Sequence, residues 1–178
     1  MIKHIFLTGE IQTGKSTLID RVLAMHPLWQ VGGFKTVTAS AKAGESRRAV
    51  YLLPAGKSDA PCTACNLVGI RLGAGQRTAK PEVFDREGVV ILAHSEEADL
   101  IVMDELGTME NEALLFQEKV QAVLNGKKSV LGVLKKKETP FLISVRNRPD
   151  VRVITLTLEG FDEALKQVDD FLREALKT

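Results

Sequence analysis

Apolar and polar positions change period several times along this 178-residue chain, and each change marks an element. Ile5-Phe6-Leu7 is a short apolar run, and Thr17 to Leu23 follows with helical spacing. This predicts a strand and then a helix that ends near His26-Pro27, because proline disfavours helix in the residue before it. From Phe34 to Thr38 apolar and polar residues alternate as in a strand, led in by Val31-Gly32-Gly33. Two further strands are expected over 49–53, closed by Pro54, and over 67–72, with small polar loops at 39–45 and 56–64. Together they read as an antiparallel meander added to a main sheet.

Beyond Pro81 the rhythm shifts. A helix is expected over 82–98, weakened at Gly88. Leu100-Ile101-Val102-Met103 is a continuous apolar run, as in a strand buried on both faces, and 129–134 repeats that pattern. Between them an amphipathic helix is predicted over 112–124, with Leu115, Val120 and Val123 inward and Gly126 as its C-terminal cap. Thr139-Pro140 is a helix start and Pro149 its latest stop. An alternating strand over 151–156, nearer a sheet edge, and an amphipathic helix over 161–176 close the chain. Buried strands alternating with helices imply an α/β fold with a mostly parallel sheet, in one domain over 1–178.

Composition narrows the function classes. Hydrophobic residues make up 44% and charged residues 26%, as in ordinary globular chains. A net charge of +1 gives no electrostatic case for nucleic acid or an anionic membrane as the main partner. No apolar run approaches the length of a membrane span. The start of the chain does not resemble a signal peptide, since its apolar run leads straight into a glycine-containing loop, and a cytoplasmic location is the expectation. The only cysteines, Cys62 and Cys65, form no disulfide framework and supply half of a four-ligand zinc set, so no metal is expected there.

That glycine-containing loop carries the strongest chemistry. Gly9-Glu10-Ile11-Gln12-Thr13-Gly14-Lys15-Ser16 fits G-x-x-x-x-G-K-[ST] and lies between a predicted strand and a predicted helix, the context a phosphate loop requires. Backbone N–H groups from Gly9 to Thr17 would cradle a polyphosphate at the helix N-terminus. Lys15 would reach the β- and γ-phosphates, and the Ser16 hydroxyl would ligate Mg²⁺. Gln12 and Thr13 stand where many such loops have another glycine. The second stretch is Asp99 to Glu105. A buried strand ending in Asp104 supplies the acid that orients Mg²⁺ from the far side of Ser16, and Glu105 beside it is suited to act as general base on a water.

Asp104-Glu105-Leu106-Gly107-Thr108-Met109-Glu110, with the phosphate loop and Gly33-Phe34-x-Thr36, resembles the nucleoside-triphosphatase family of the THEP1 type. The likeness extends through Phe116, Val130 and Arg148-Pro149-Asp150-Val151. It implies a RecA-like three-layer P-loop fold with a small antiparallel addition, Mg²⁺, and hydrolysis of nucleoside 5′-triphosphates to diphosphate and phosphate. The chain departs from the family at Ile11-Gln12, over 62–84, and at Leu158-Glu159-Gly160-Phe161, where an Asn-Arg pair is usual.

Other signals stay open. Lys135-Lys136-Lys137, Arg146 or Arg148 could stabilise charge on the transferred phosphoryl group, with the arginines preferred for their planar guanidinium, or could be solvated basic residues. Glu110 could support the site or open the next helix. Trp29 and Tyr51 read as core residues more readily than as base-stacking ones, and His4 and His26 as incidental. Two rival activities share these motifs: a small-molecule kinase with the lysine segment in a lid, and a nucleotide-dependent switch with slow hydrolysis.

Overall fold

In the computed structural model, which describes residues 1–40, 47–57, 59–72 and 76–176, β1 (His4–Thr8) and α1 (Lys15–Met25) flank the glycine-containing loop. The chain continues through β2 (Val31–Thr38), β3 (Arg48–Pro54), β4 (Leu67–Arg71) and β5 (Arg77–Ala79). Next come α2 (Pro81–Val83), a π-helical stretch (Phe84–Gly88) and α3 (Val89–Ala93). The last part holds β6 (Leu100–Leu106), α4 (Leu114–Asn125), β7 (Ser129–Leu134), α5 (Pro140–Arg146), β8 (Val151–Thr155) and α6 (Phe161–Ala175).

The strands form one sheet in the order β5-β4-β3-β2-β6-β7-β1-β8. From β2 to β8 every neighbour is parallel, while β3, β4 and β5 add on antiparallel. The expected architecture is the observed one, and β8 lies at an edge. Part of the 39–45 loop lies outside the described residues. Among the described residues no helix is long and apolar enough to cross a membrane.

Strand alternation sorts the core into two layers. Ile5, Leu7, Leu100, Val102, Leu131 and Val133 face Leu18, Ile19 and Val22 of α1 and Ala164, Val168 and Leu172 of α6. Phe6, Ile101, Met103 and Val130 face the other way, onto Phe84, Leu92, Phe116, Val120, Leu124 and Val145 from the helices of the second layer. Each large apolar side chain so buried contributes about 1.5–3 kcal/mol relative to exposure.

Three local expectations change. The helix expected over 82–98 ends at Ala93 and passes through a π turn that contains Gly88. α4 starts at Leu114, and its buried stripe is Phe116, Val120 and Leu124, spaced by four. Leu115, expected inward, lies about a quarter-turn off that stripe and is 59% exposed. β5 was not expected, because its three residues are all exposed and carry no apolar period.

The parallel strands all end at one edge, so the loops after β1, β6 and β7 meet there. Ligands collect at that edge in open α/β sheets.

Candidate functional site

The loop from Gly9 to Ser16 leaves the carboxyl end of β1. Gly9 has φ +139°, and a Cβ there would stand 2.5 Å from the Leu156 carbonyl oxygen, so this close pass beyond β8 requires glycine. Gly14 caps α1, whose first turn has neither a capping side chain nor an acid. Its N-terminal N–H groups are therefore available to an anion. Lys15 folds back over the loop, its Nζ donating to Glu10 O at 2.5 Å, Gly9 O at 3.2 Å and Thr13 Oγ1 at 3.2 Å. Thr13, buried, donates in turn to Glu10 O at 3.0 Å. Ile11 is exposed, and Gln12 adopts φ +64°.

Asp104 and Glu105 lie at the carboxyl end of β6, where its register against β7 slips between Met103 and Leu106. The Ser16 hydroxyl lies close enough to the Asp104 carboxylate to lower its pKa, which brings the two motifs together. Burial pushes the Asp104 pKa up to about 6, Ser16 pulls it back in part, and the nearby acids Glu105 and Asp20 add to the rise. Glu105 is 20% exposed, with Oε1 2.7 Å from Lys135 Nζ and 3.5 Å from Arg71 Nη2. These residues, with Thr36, Thr108 and Glu110, line a cavity of about 10 Å³. Such a volume suits about one water molecule. Thr108 Oγ1 is buried there without a hydrogen-bond partner among the described residues.

Glu110 is buried and accepts from the Gly107 N–H. It precedes α4 by several residues, so it supports the turn after β6 and does not open the helix. Burial drives its pKa up to about 7, against the Gly107 N–H and the nearby Lys135 charge, which lower it.

The basic candidates separate. Lys136 Nζ pairs with Glu10 Oε1 at 2.8 Å, an exposed contact on the phosphate loop that holds the Glu10 carboxyl below its ordinary value. Arg146 donates to the carbonyls of Lys135 and Lys137 at 3.3 Å each and so braces the lysine segment. Arg148 lies elsewhere: its guanidinium grips Asp150 at 2.9 and 3.0 Å and donates to Leu124 O at 3.1 Å. The Asp150 backbone carbonyl accepts from the N–H groups of Lys3 and His4, where the chain enters β1 at the amino edge of the sheet. The fold therefore does not bring Arg148 to the phosphate loop. Arg71 was missed. Its only signal was a cation closing the apolar run Leu67–Ile70, and its approach to Glu105 depends on the sheet.

The remaining candidates lie outside the site. Trp29 stacks on His26, with ring centroids 3.9 Å apart, and packs against the α1–α6 layer. Tyr51 is half-buried in β3, and Cys62 and Cys65 are exposed and free. His26 bonds Asp169 at 2.5 Å. His4 is fully buried: its Nδ1 accepts from Val130 N at 3.1 Å, so Nε2 carries the proton toward Leu124 O at 3.0 Å.

A family model described as NTPase matches residues 4–168. Among curated relatives, the protein named nucleoside-triphosphatase THEP1 of Thermotoga maritima is 28% identical over 171 residues, covering 95% of each chain. The human protein named cancer-related nucleoside-triphosphatase is 26% identical over 193 residues, covering 94% of this chain and 95% of its own. The crystal structure of THEP1 from the hyperthermophile Aquifex aeolicus superposes with a TM-score of 0.71 over 95% of this chain and 98% of its own. At 20% identity that likeness speaks for the fold alone.

Proposed function

This chain belongs to the NTPase family, and from that premise we propose how it works as a nucleoside-triphosphatase. Its substrates are nucleoside 5′-triphosphates of more than one base, cleaved to diphosphate and inorganic phosphate with Mg²⁺. The observation that carries the reading is that the loop after β1 and the acids ending β6 meet at one edge of the sheet, with Ser16 close enough to Asp104 to lower its pKa.

Mg²⁺ fits this pair. The ion is commonly bound through one or two carboxylates together with substrate phosphates, so a dedicated protein cage is not required. Asp104, with Asp20 and Glu105 close enough to raise its pKa, is an acid in want of a cation. When bound there, Mg²⁺ supplies charge neutralisation on the β- and γ-phosphates.

The chain's own groups do the rest. The free N–H groups from Gly9 to Thr17 grip the phosphates, including those of Glu10, Ile11, Gln12 and Thr13. Lys15, now folded onto Gly9 and Glu10, swings to the β- and γ-oxygens. Glu105 accepts a proton from the attacking water, whose oxygen bonds to the γ-phosphorus. The bond from that phosphorus to the bridging oxygen breaks, and its electron pair stays on the diphosphate. Arg146 contributes by holding the lysine segment beside the phosphates.

The test is phosphate release from ATP, GTP, CTP and UTP, with and without added hydroxyl acceptors. Release without an acceptor is expected, and transfer only to an acceptor would replace hydrolysis with a kinase. Glu105→Gln is expected to bind nucleotide and to lose about 10²–10⁴-fold in kcat, the usual contribution of a general base. An unchanged kcat would remove Glu105 from that role.

A further inference from the structure

One carboxylate oxygen of Glu105 lies beside two cations. Its Oε1 stands 2.7 Å from the Lys135 ammonium and 3.5 Å from the Arg71 guanidinium. In this arrangement the base is clamped by two cations.

Lys135 is held where it could serve a second partner. Its backbone N–H donates to Leu106 O at 2.9 Å, directly after β7. Its stem runs across Gly107, where a Cβ would come within 2.9 Å of Lys135 Cδ, so glycine keeps that track open. β7 lies between β1 and β6 in the sheet, so the lysine segment starts between the phosphate loop and the base. The next residue, Lys136, reaches the phosphate loop at Glu10, 2.8 Å away. One short segment thus touches both halves of the site.

On the reading that this site hydrolyses triphosphates, we infer that Lys135 exchanges Glu105 for the terminal phosphate of the substrate. A terminal phosphate offers roughly two negative charges over three oxygens, where Glu105 offers one charge. The ammonium sits on a flexible four-carbon stem and can turn between them. The exchange takes the closer cation off Oε1, so that the carboxylate can face the water, and at the same moment places it on the phosphoryl group that is transferred. Arg71 stays on Glu105 and keeps it oriented. A diphosphate has no third phosphate to draw Lys135 away, so the base stays clamped in its presence. The cation role expected of Arg146 or Arg148 passes to Lys135, because Arg146 is committed to backbone carbonyls and Arg148 to the opposite edge.

A double-mutant cycle in binding tests this apart from hydrolysis. Glu105→Gln, Lys135→Met and the double variant are titrated with the β,γ-imido analogues of ATP and GTP and with ADP and GDP, in Mg²⁺. Melting curves serve as the control that each is folded. Releasing Lys135 from its carboxylate should make Glu105→Gln bind the triphosphate analogues roughly tenfold tighter than wild type, the worth of one charge-assisted hydrogen bond. Diphosphate affinity should not change, and the gain should vanish in the double variant. Lys135→Met should cut kcat by at least about 10²-fold with a small change in KM, and Lys135→Arg should recover part of the loss. Equal tightening for di- and triphosphate, no tightening, or tightening that survives Lys135→Met would overturn the exchange. If wild type releases no phosphate from any triphosphate, the hydrolytic reading fails while the binding cycle still decides the exchange.

Discussion

Gln12 occupies a left-handed position that a side chain enters at about 1–2 kcal/mol. Glycine there would remove the strain but add roughly 0.5–1 kcal/mol of unfolded-state entropy to be lost. Gln12→Gly should therefore shift unfolding stability by less than about 1 kcal/mol, whereas Gln12→Val, β-branched at the same φ, should cost about 1–3 kcal/mol. Urea denaturation of the two variants checks the contrast, and equal stabilities would mean that the loop does not hold this conformation. The oddity was visible in the sequence as a missing glycine, because a phosphate loop is contiguous and its conformational needs are written residue by residue. Lys15, Ser16, Asp104 and Glu105 were legible for the same reason. Arg71 was not, since its approach to Glu105 joins β4 to β6 across β3 and β2. Arg146 and Arg148 are adjacent in the sequence pattern, yet one braces the lysine segment and the other closes the amino edge. Nothing in their spacing distinguished those fates.

At the scale of elements, α5 matters because it carries Arg146 under the lysine segment. Its start was legible: Pro140 opens the helix, and Thr139 Oγ1 accepts from Leu142 N at 3.3 Å. Thr139→Ala removes that cap and should cost about 1 kcal/mol in chemical denaturation. A loss below a few tenths would show that Pro140 and the burial of Phe141 and Leu142 fix this end unaided. Buried strands were equally plain, since Leu100–Met103 and Val130–Leu134 are apolar at every position that the sheet covers on both faces. Helix phase was harder to read in α4, where Leu114 and Leu115 offer apolar residues to solvent beside the buried Phe116. A single apolar cluster does not fix which of its members meets the sheet. β5 left no trace because its three exposed residues are held by pairing to β4 rather than by burial.

Across the whole molecule two buried groups, one at each edge of the sheet, oppose each other in their response to pH. His4, at the amino edge, has its pKa lowered from 6.5 to about 4 by burial. The unfolded chain takes up that proton first, so His4 costs the fold stability as pH falls from about 6.5 to 4. Asp150 beside it, held ionised to about 2 chiefly by its hydrogen bond from Arg148, loses its contribution only below its ordinary 3.8. Glu110, near the carboxyl edge, has its pKa raised from 4.5 to about 7, so the native state holds the extra proton. Its contribution is complete below about 4.5 and is lost as pH rises through 7. The His4 and Glu110 shifts are similar in size and opposite in sign, so between pH 4.5 and 6.5 their effects on stability largely cancel. Asp104, its pKa raised to about 6, acts in the same direction as Glu110, so the Glu110 part is isolated by comparing a variant with wild type at each pH. Glu110→Gln keeps a carbonyl oxygen for the Gly107 N–H and removes the ionisation. At 1.36 kcal/mol per unit, the shift from 4.5 to about 7 is worth roughly 3 kcal/mol. Urea denaturation in Mg²⁺-free buffer at pH 4.5, 6 and 8 should show the variant gaining on wild type by about that amount toward alkaline pH. A stability difference that stays constant from pH 4.5 to 8 would mean that Glu110 ionises as freely in the fold as in the unfolded chain, and the burial that holds its proton would have to be abandoned.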